Sequence, residues 1–120
     1  MKTILIADDV AFSRDIIKIF IDGLDLEVAG EATNGIEAIA KYKRLKPDIL
    51  TLDLNMHEMG GTEALKEILK FDPEAVVIII SSTGDQLNKI SEVMKIGAKA
   101  VFTKPFEKEP FIEELKKYLD

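Results

Sequence analysis

Residues 46–61 read KPDILTLDLNMHEMGG, an apolar run of strand length that ends in one acid, Asp53, and passes into a loop closed by two glycines. A carboxylate at the mouth of a buried strand is costly unless water, a cation or hydrogen-bond donors meet it. Asp53 is therefore a candidate functional group. The fold follows from asking which segments can surround such a strand.

The strand over residues 48–53 lies between two helical patterns. Upstream, the turn Ala32-Thr33-Asn34-Gly35 opens a helix whose apolar face carries Ile36, Ile39, Ala40 and Leu45, and Pro47 ends it. Downstream, Thr62 can cap a helix carrying Leu65, Ile68 and Leu69, which Asp72-Pro73 breaks. Residues 75–80, AVVIII, form the most β-branched run of the chain and predict a central strand covered on both faces. A helix over residues 85–96 turns Leu87, Ile90, Val93 and Met94 inward and is capped by Gly97, and residues 98–103 give a last short strand. After Lys104-Pro105-Phe106, Pro110 fits the first turn of a final helix with Phe111, Ile112, Leu115, Tyr118 and Leu119 on one face.

At the other end, residues 3–7, TILIA, are a strand buried on both sides. A helix over residues 10–23 follows, with Phe12, Ile16, Ile19 and Phe20 at helical spacing and Gly23 as its stop, and then a short strand over residues 26–30. Five strands thus alternate with five helices. That spacing calls for right-handed βαβ units and an α/β fold, a doubly wound parallel sheet with helices on both faces.

Bulk properties narrow the function. The 120 residues suit one domain, and 47% apolar with 32% charged residues is a globular rather than a disordered or membrane-spanning balance. A net charge of −6 with no stripe of lysine or arginine disfavours direct nucleic-acid binding. The local group Lys41, Lys43, Arg44 and Lys46 reads as the basic end of a helix complementing its dipole. No cysteine is present, which removes disulfides and thiolate zinc sites. The apolar run between Lys2 and Asp8 is too short for a signal sequence or a membrane span, so a soluble cytoplasmic protein without membrane contact is expected.

The polar residues collect in one place. In doubly wound sheets, ligands bind beyond the carboxyl ends of the strands. Here the strands end in Asp8-Asp9, Asp53, Ser81-Ser82-Thr83 and Thr103-Lys104. Each residue alone has a plainer role: an aspartate after a strand as a helix cap, a serine in a turn, a lysine in solvent. Their convergence on four strand ends is what those roles do not explain. Three carboxylates held together call for a cation, and an all-oxygen set with water suits Mg²⁺. A carboxylate can also attack phosphorus, with Mg²⁺, Lys104 and the Ser81 hydroxyl neutralising the transferred oxygens.

With these residues in place, the chain resembles the receiver domains of bacterial two-component response regulators, of the CheY-like, stand-alone chemotaxis type. The likeness rests on the acidic pair in LIADDV, the aspartate in DILTLDLNM, the hydroxyl residue after VVIII and the Lys-Pro-Phe of FTKPF, all at agreeing spacing. It implies a flavodoxin-like five-stranded sheet of order 2-1-3-4-5 and a single receiver domain over residues 1–120. It further implies that Asp53 is the phosphoacceptor, that Asp9 contacts Mg²⁺ directly and Asp8 through water, and that the backbone carbonyl of Asn55 is a further ligand. Lys104 is then the group that binds a phosphoryl oxygen, Ser81 the switch hydroxyl, and Ser82 a backbone N–H donor to the phosphate. Asn55 and Thr83 are expected to flank the line of water attack. The implied partners are a histidine kinase as donor and, as output, a flagellar motor or chemotaxis component or a phosphotransfer protein, with the fourth helix, fifth strand and fifth helix as the output face, carrying Lys89, Lys95, Lys99 and Val101. Because no DNA-binding segment follows within the 120 residues, protein binding is the expected output.

Two departures stand out. Receivers usually have proline where this chain has His57, which is read as a solvated loop residue, and Gly60 and Gly61 make the same loop permissive. Val101 occupies the usual aromatic switch position, while Phe102 should face the other side of the strand as a core residue. Rival readings share parts of the pattern. A Mg²⁺-dependent phosphatase with an aspartyl nucleophile would need a general acid where Asn55 stands. A flavin or nucleotide binder would need a phosphate cradle where Asp8-Asp9-Val10-Ala11 stands. A receiver-like scaffold that is never phosphorylated would not need the whole acid, hydroxyl and lysine set. The expected role is that of a signalling phosphoacceptor which catalyses only its own phosphorylation and dephosphorylation, not that of an enzyme.

Overall fold

A computed structural model describes residues 1–82 and 87–119. In chain order the described elements are β1 (Lys2–Ala7), α1 (Ala11–Ile21), β2 (Leu26–Ala32), α2 (Gly35–Leu45), β3 (Ile49–Asp53), α3 (Gly61–Phe71), β4 (Val77–Ser81), α4 (Leu87–Ile96), β5 (Ala100–Thr103) and α5 (Lys108–Lys116). All neighbouring strands pair in parallel, in the order β2-β1-β3-β4-β5. This is the flavodoxin-like sheet expected above.

Every residue of β3 and β4 is buried, as their unbroken apolar runs require. Their side chains alternate between two cores. Leu50, Leu52, Val77 and Ile79 pack with Ala38, Tyr42, Leu65, Ile68 and Val93 of α2, α3 and α4. Ile49, Ile78 and Ile80 pack with Ile17, Ile21, Phe111 and Leu115 of α1 and α5 on the other side. The period of two in the strands therefore divides one apolar run between two helical layers.

Several strand limits shift. β2 continues to Ala32, two residues past the expected end, because the ladder to β1 slips by one residue between Ile4 and Leu5 and pairing resumes at Gly30. β4 starts at Val77 rather than Ala75 and takes in Ser81, and β5 is only Ala100–Thr103. α3 begins at Gly61 with Gly60, not Thr62, in the capping position. The expected first turn of the fourth helix from Asp85 lies outside the described residues, as does Thr83.

Three helix faces are rotated from the expected ones. In α1 the buried residues are Ile17 and Ile21, while Phe12 and Ile19 are 70% and 63% exposed. Apolar residues crowd this helix on all sides, so spacing alone does not select the inward stripe. In α2, Ala38 and Tyr42 face the sheet and Ile36 points out. Tyr42 also donates its hydroxyl to Asp72 Oδ2 at 2.8 Å, tying α2 to the end of α3. In α4 only Val93 is buried; Leu87 is 84% exposed and Met94 is exposed as well. Tyr42→Phe removes one hydrogen bond to a partly exposed acid, so it should cost about 1 kcal/mol and lower Tm by about 4 °C in thermal unfolding followed by circular dichroism.

Candidate functional site

The parallel sheet brings the ends of β1, β3, β4 and β5 to one edge. Asp8 follows β1 directly, with its N–H donating to the Ala32 carbonyl at 2.9 Å. Its Oδ1 accepts the Val10 N–H at 2.9 Å, the plain capping role, while its Oδ2 accepts from the Lys104 ammonium at 2.9 Å. Asp53 closes β3. Its Oδ1 accepts the Asn55 N–H at 2.9 Å and its Oδ2 accepts from Lys104 at 3.0 Å. Asp8 and Asp53 are 1% and 2% exposed, so neither is a surface acid. Asp9 lies beside them, half-buried, and carboxylate oxygens of Asp8, Asp9 and Asp53 all fall within 4.8 Å of one another.

Lys104 reaches this group because its own N–H donates to the Ser81 carbonyl at 2.8 Å, which fixes the turn after β5. Its ammonium also donates to Ser13 Oγ at 3.2 Å. Burial weighs against the ammonium's charge, but its hydrogen bonds to Asp8 and Asp53 and the charges of those acids outweigh it and hold the Lys104 pKa above its ordinary value. Burial, reinforced by the Asp8 charge, pushes the Asp53 carboxyl up, against the pull of the Asn55 N–H and Lys104. Three carboxylates face one ammonium. The excess negative charge and the all-oxygen donor set fit a hard divalent cation such as Mg²⁺, which Asp8, Asp9 and Asp53 would hold.

Ser81 is fully buried, and its hydroxyl lies 3.1 Å from Thr103 Oγ1, across the β4–β5 pair. Asn55 is placed beside the acceptor by its N–H, and its side-chain amide donates to Ser82 Oγ at 3.1 Å. Asp8, Asp9, Asp53, Asn55, Ser81, Ser82 and Lys104 therefore stand at this edge, and Thr83 lies outside the described residues. Ser13 and Arg14 were not foreseen as parts of it, and Thr103, placed at a strand end by the sequence, had no role assigned. Ser13 holds Lys104, Thr103 holds the Ser81 hydroxyl, and Arg14 donates to the Asp8 carbonyl at 2.6 Å while pairing with Glu31 at 2.6 Å. Ser13 and Arg14 lie in the first turns of α1, where a polar pair inside an apolar helix was the available signal.

The response regulator receiver domain model matches residues 4–116. The chain belongs to that family. Among its relatives, this receiver is 51% identical to the chemotaxis protein CheY of Thermotoga maritima over 97% of this chain and 96% of that one. It is 45% identical to CheY of Listeria monocytogenes over 98% of both. The crystal structure of the CheX-CheY-BeF₃-Mg²⁺ complex from Borrelia burgdorferi superposes with a TM-score of 0.90 at 30% identity, covering 97% of this chain and 87% of that one.

The receiver departs from sequence-based expectation in the loop after Asp53. Gly61 is not there for a permissive turn. A Cβ on it would stand 2.4 Å from the Asp53 carbonyl oxygen and 2.7 Å from Leu54 Cα, so only glycine lets α3 start this close to the acid. Gly60 has ordinary space. Glu58, with φ of 67°, carries the strain instead, in a turn closed by the Met59 N–H on the His57 carbonyl at 2.9 Å. His57 is 89% exposed, as a solvated loop residue should be, yet its Nε2 stands 3.5 Å from Asp9 Oδ2. At the other departure, Val101 packs toward the α2–α3–α4 core, while Phe102 contacts Phe106 and Phe111 in the α1–α5 core, as alternation predicts.

Gly61→Ala must displace the backbone of Asp53 itself and should destabilise by about 1–3 kcal/mol in chemical denaturation, with Gly60→Ala losing less. Asp53 binds its proton more tightly folded than unfolded, so its ionisation works against folding as pH rises above the ordinary aspartate value of 3.8. In metal-free buffer Asp53→Asn should therefore be more thermostable than wild type at neutral pH, the gap closing as pH falls toward that value, measured as Tm against pH.

Proposed function

We propose that the 120 residues act as one receiver domain in which Asp53 accepts a phosphoryl group from a histidine kinase, and that this changes affinity for a chemotaxis partner. The observation that carries the reading is the Lys104 ammonium bound at once to Asp8 and Asp53, at 2.9 and 3.0 Å, beside a third acid. The Asp53 carboxyl, pushed up by burial within this charged cluster, supports a working role for it.

In the transfer, an Asp53 oxygen forms the bond to phosphorus as the phosphorus–nitrogen bond of the donor's phosphohistidine breaks, the electron pair stays on that nitrogen, and the imidazole leaves neutral because its other ring nitrogen already carries a proton. Asp8, Asp9 and Asp53, with the Asn55 carbonyl as a further ligand, would hold Mg²⁺, which would neutralise charge on the carboxylates and the transferred oxygens. Lys104 then has a new partner. The added charge of about −1.5 to −2 competes with Asp8 and Asp53 for its ammonium. For Ser81 to reach the phosphate, its hydroxyl must give up Thr103. That exchange would be part of the switch.

The output face would be that of α4, β5 and α5, where Leu87, Met94 and Lys95 of α4 and the following Lys99 are exposed. Apolar anchors among positive charges suit an acidic partner surface. Similarity to CheY proteins over nearly the whole chain supports chemotaxis as the pathway and a kinase and a motor or phosphotransfer component as partners. A cytoplasmic setting accords with this; among the described residues no helix is long and apolar enough to cross a membrane. The phosphatase alternative has no general acid, since Asn55 presents an amide there.

Incubation with acetyl phosphate and Mg²⁺ should add one phosphate to the wild type, read by intact mass. Asp53→Asn should gain none, and omission of Mg²⁺ should slow the gain at least about tenfold. No gain by wild type, or equal gain by Asp53→Asn, would remove Asp53 from this role.

A further inference from the structure

The ladder between β1 and β2 does not run evenly. Ile4 pairs with Val28, but Leu5 pairs with Gly30 and Ile6 with Glu31, so Ala29 is the extra residue of a bulge. The slip reverses which residues face which helical layer. Leu26 and Val28 pack in the α1–α5 core, and unbroken alternation would send residue 30 to the same side. Instead a Cβ on Gly30 would meet Leu45 and Leu5 of the opposite core, and Glu31 falls beside Ile6 on the α1 side. An acid therefore stands under α1 where an even strand would have placed a glycine.

α1 uses that acid. Arg14 Nε donates to Glu31 Oε1 and its Nη1 donates to the Asp8 carbonyl, both at 2.6 Å, so one planar guanidinium spans the ends of β2 and β1. The Arg14 side chain is only 15% exposed. Lys18, one turn further along α1, reaches Glu31 Oε2 at 2.5 Å, and Lys41 of α2 donates to the Glu31 carbonyl. Hydrogen bonds from Lys18 and Arg14 hold the Glu31 carboxyl below the usual glutamate range, so it stays ionised. The Asp8 N–H is already fixed on the Ala32 carbonyl. With both its N–H and its carbonyl tied to the end of β2, Asp8 has the plane of its peptide to Asp9 set, and with it the direction in which the two acids leave the backbone.

We propose that Arg14, braced by Glu31, is a positioning residue that fixes the Asp8-Asp9 turn for the reaction at Asp53, and that the bulge in β2 is what delivers Glu31 to it. The proposal rests on the reading of Asp53 as acceptor beside acids that hold a cation. Bulges next to active sites re-aim side chains in this way. Charge alone gives the opposite sign to positioning. Removing a guanidinium from the neighbourhood of three carboxylates would strengthen cation binding, whereas losing its hold on the turn weakens it.

Calorimetric titration of the full chain with Mg²⁺, alongside the rate of phosphate gain from acetyl phosphate read by intact mass, tests it. Arg14→Ala should bind Mg²⁺ about tenfold more weakly than wild type, with a slower phosphate gain at subsaturating Mg²⁺. Arg14→Lys keeps the charge and loses the fork, so it should weaken Mg²⁺ binding at least about threefold and carries the test should Arg14→Ala not fold. Adding Glu31→Gln to Arg14→Ala should cost no more than about a further twofold, because Glu31 acts through the guanidinium. Lys18→Ala, which removes a partner of Glu31 but no contact with Asp8, should leave Mg²⁺ affinity within about twofold. Unchanged or tighter Mg²⁺ binding in the Arg14 variants, a double variant that loses the product of the two single effects, or an equal loss in Lys18→Ala overturns the proposal. A wild type that binds Mg²⁺ but gains no phosphate would sink the acceptor reading alone, and the Mg²⁺ titrations would still decide the role of Arg14.

Discussion

Two carboxylates almost wholly removed from water share one ammonium group, and the geometry of the strand ends follows from that arrangement. Lys104 can neutralise only one of Asp8 and Asp53, and Asp9 adds a third negative charge nearby. Buried ion pairs contribute little to stability once desolvation is counted, and an unbalanced one opposes it. A protein that keeps such a group carries it for chemistry. The same imbalance that disfavours the metal-free fold leaves an excess of negative charge at this edge that suits a cation, around a carboxyl whose pKa burial raises.

The cluster is held in place by backbone rather than by side-chain packing. β3 carries Asp53 on a fully buried strand, and α3 begins against that residue's own carbonyl because Gly61 has no side chain. Lys104 is aimed by its N–H on Ser81 and by Ser13 from α1. The loop between Asp53 and Gly61 is fastened to α2 through Gly35 and Met59. Strain at Glu58 is therefore confined to a segment whose two ends cannot relax. Against this rigid side, α4 buries only Val93 among its described residues. An element with so little apolar burial is among those whose position is easiest to shift.

Much of this was legible in the sequence. The apolar runs around Ile4, Leu50 and Ile78 and the breaks at Gly, Pro and Asn between them were enough for five strands and five helices, because strand and helix periods are local properties. Asp8, Asp9, Asp53, Ser81 and Lys104 were identifiable as well, since a parallel sheet sends the residues after each strand to one edge. Helix faces were less legible. In α1, Phe12 and Ile19 are as apolar as Ile17 and Ile21, and only the docking against α5 and the sheet selects between them.

The sequence by itself determined the alternating architecture and the chemical character of the edge, because both depend on residue type and near-neighbour spacing. The tertiary structure alone decided who meets whom there. Lys104 and Asp8 lie 96 residues apart, and Lys104 and Asp53 lie 51 apart. It also turned Gly61 from a permissive loop residue into a contact surface for Asp53, gave Ser81 to Thr103, and set His57 beside Asp9. These are distances between separate turns of backbone, fixed by sheet order and by close approach of main chains, and no local pattern of residues encodes them.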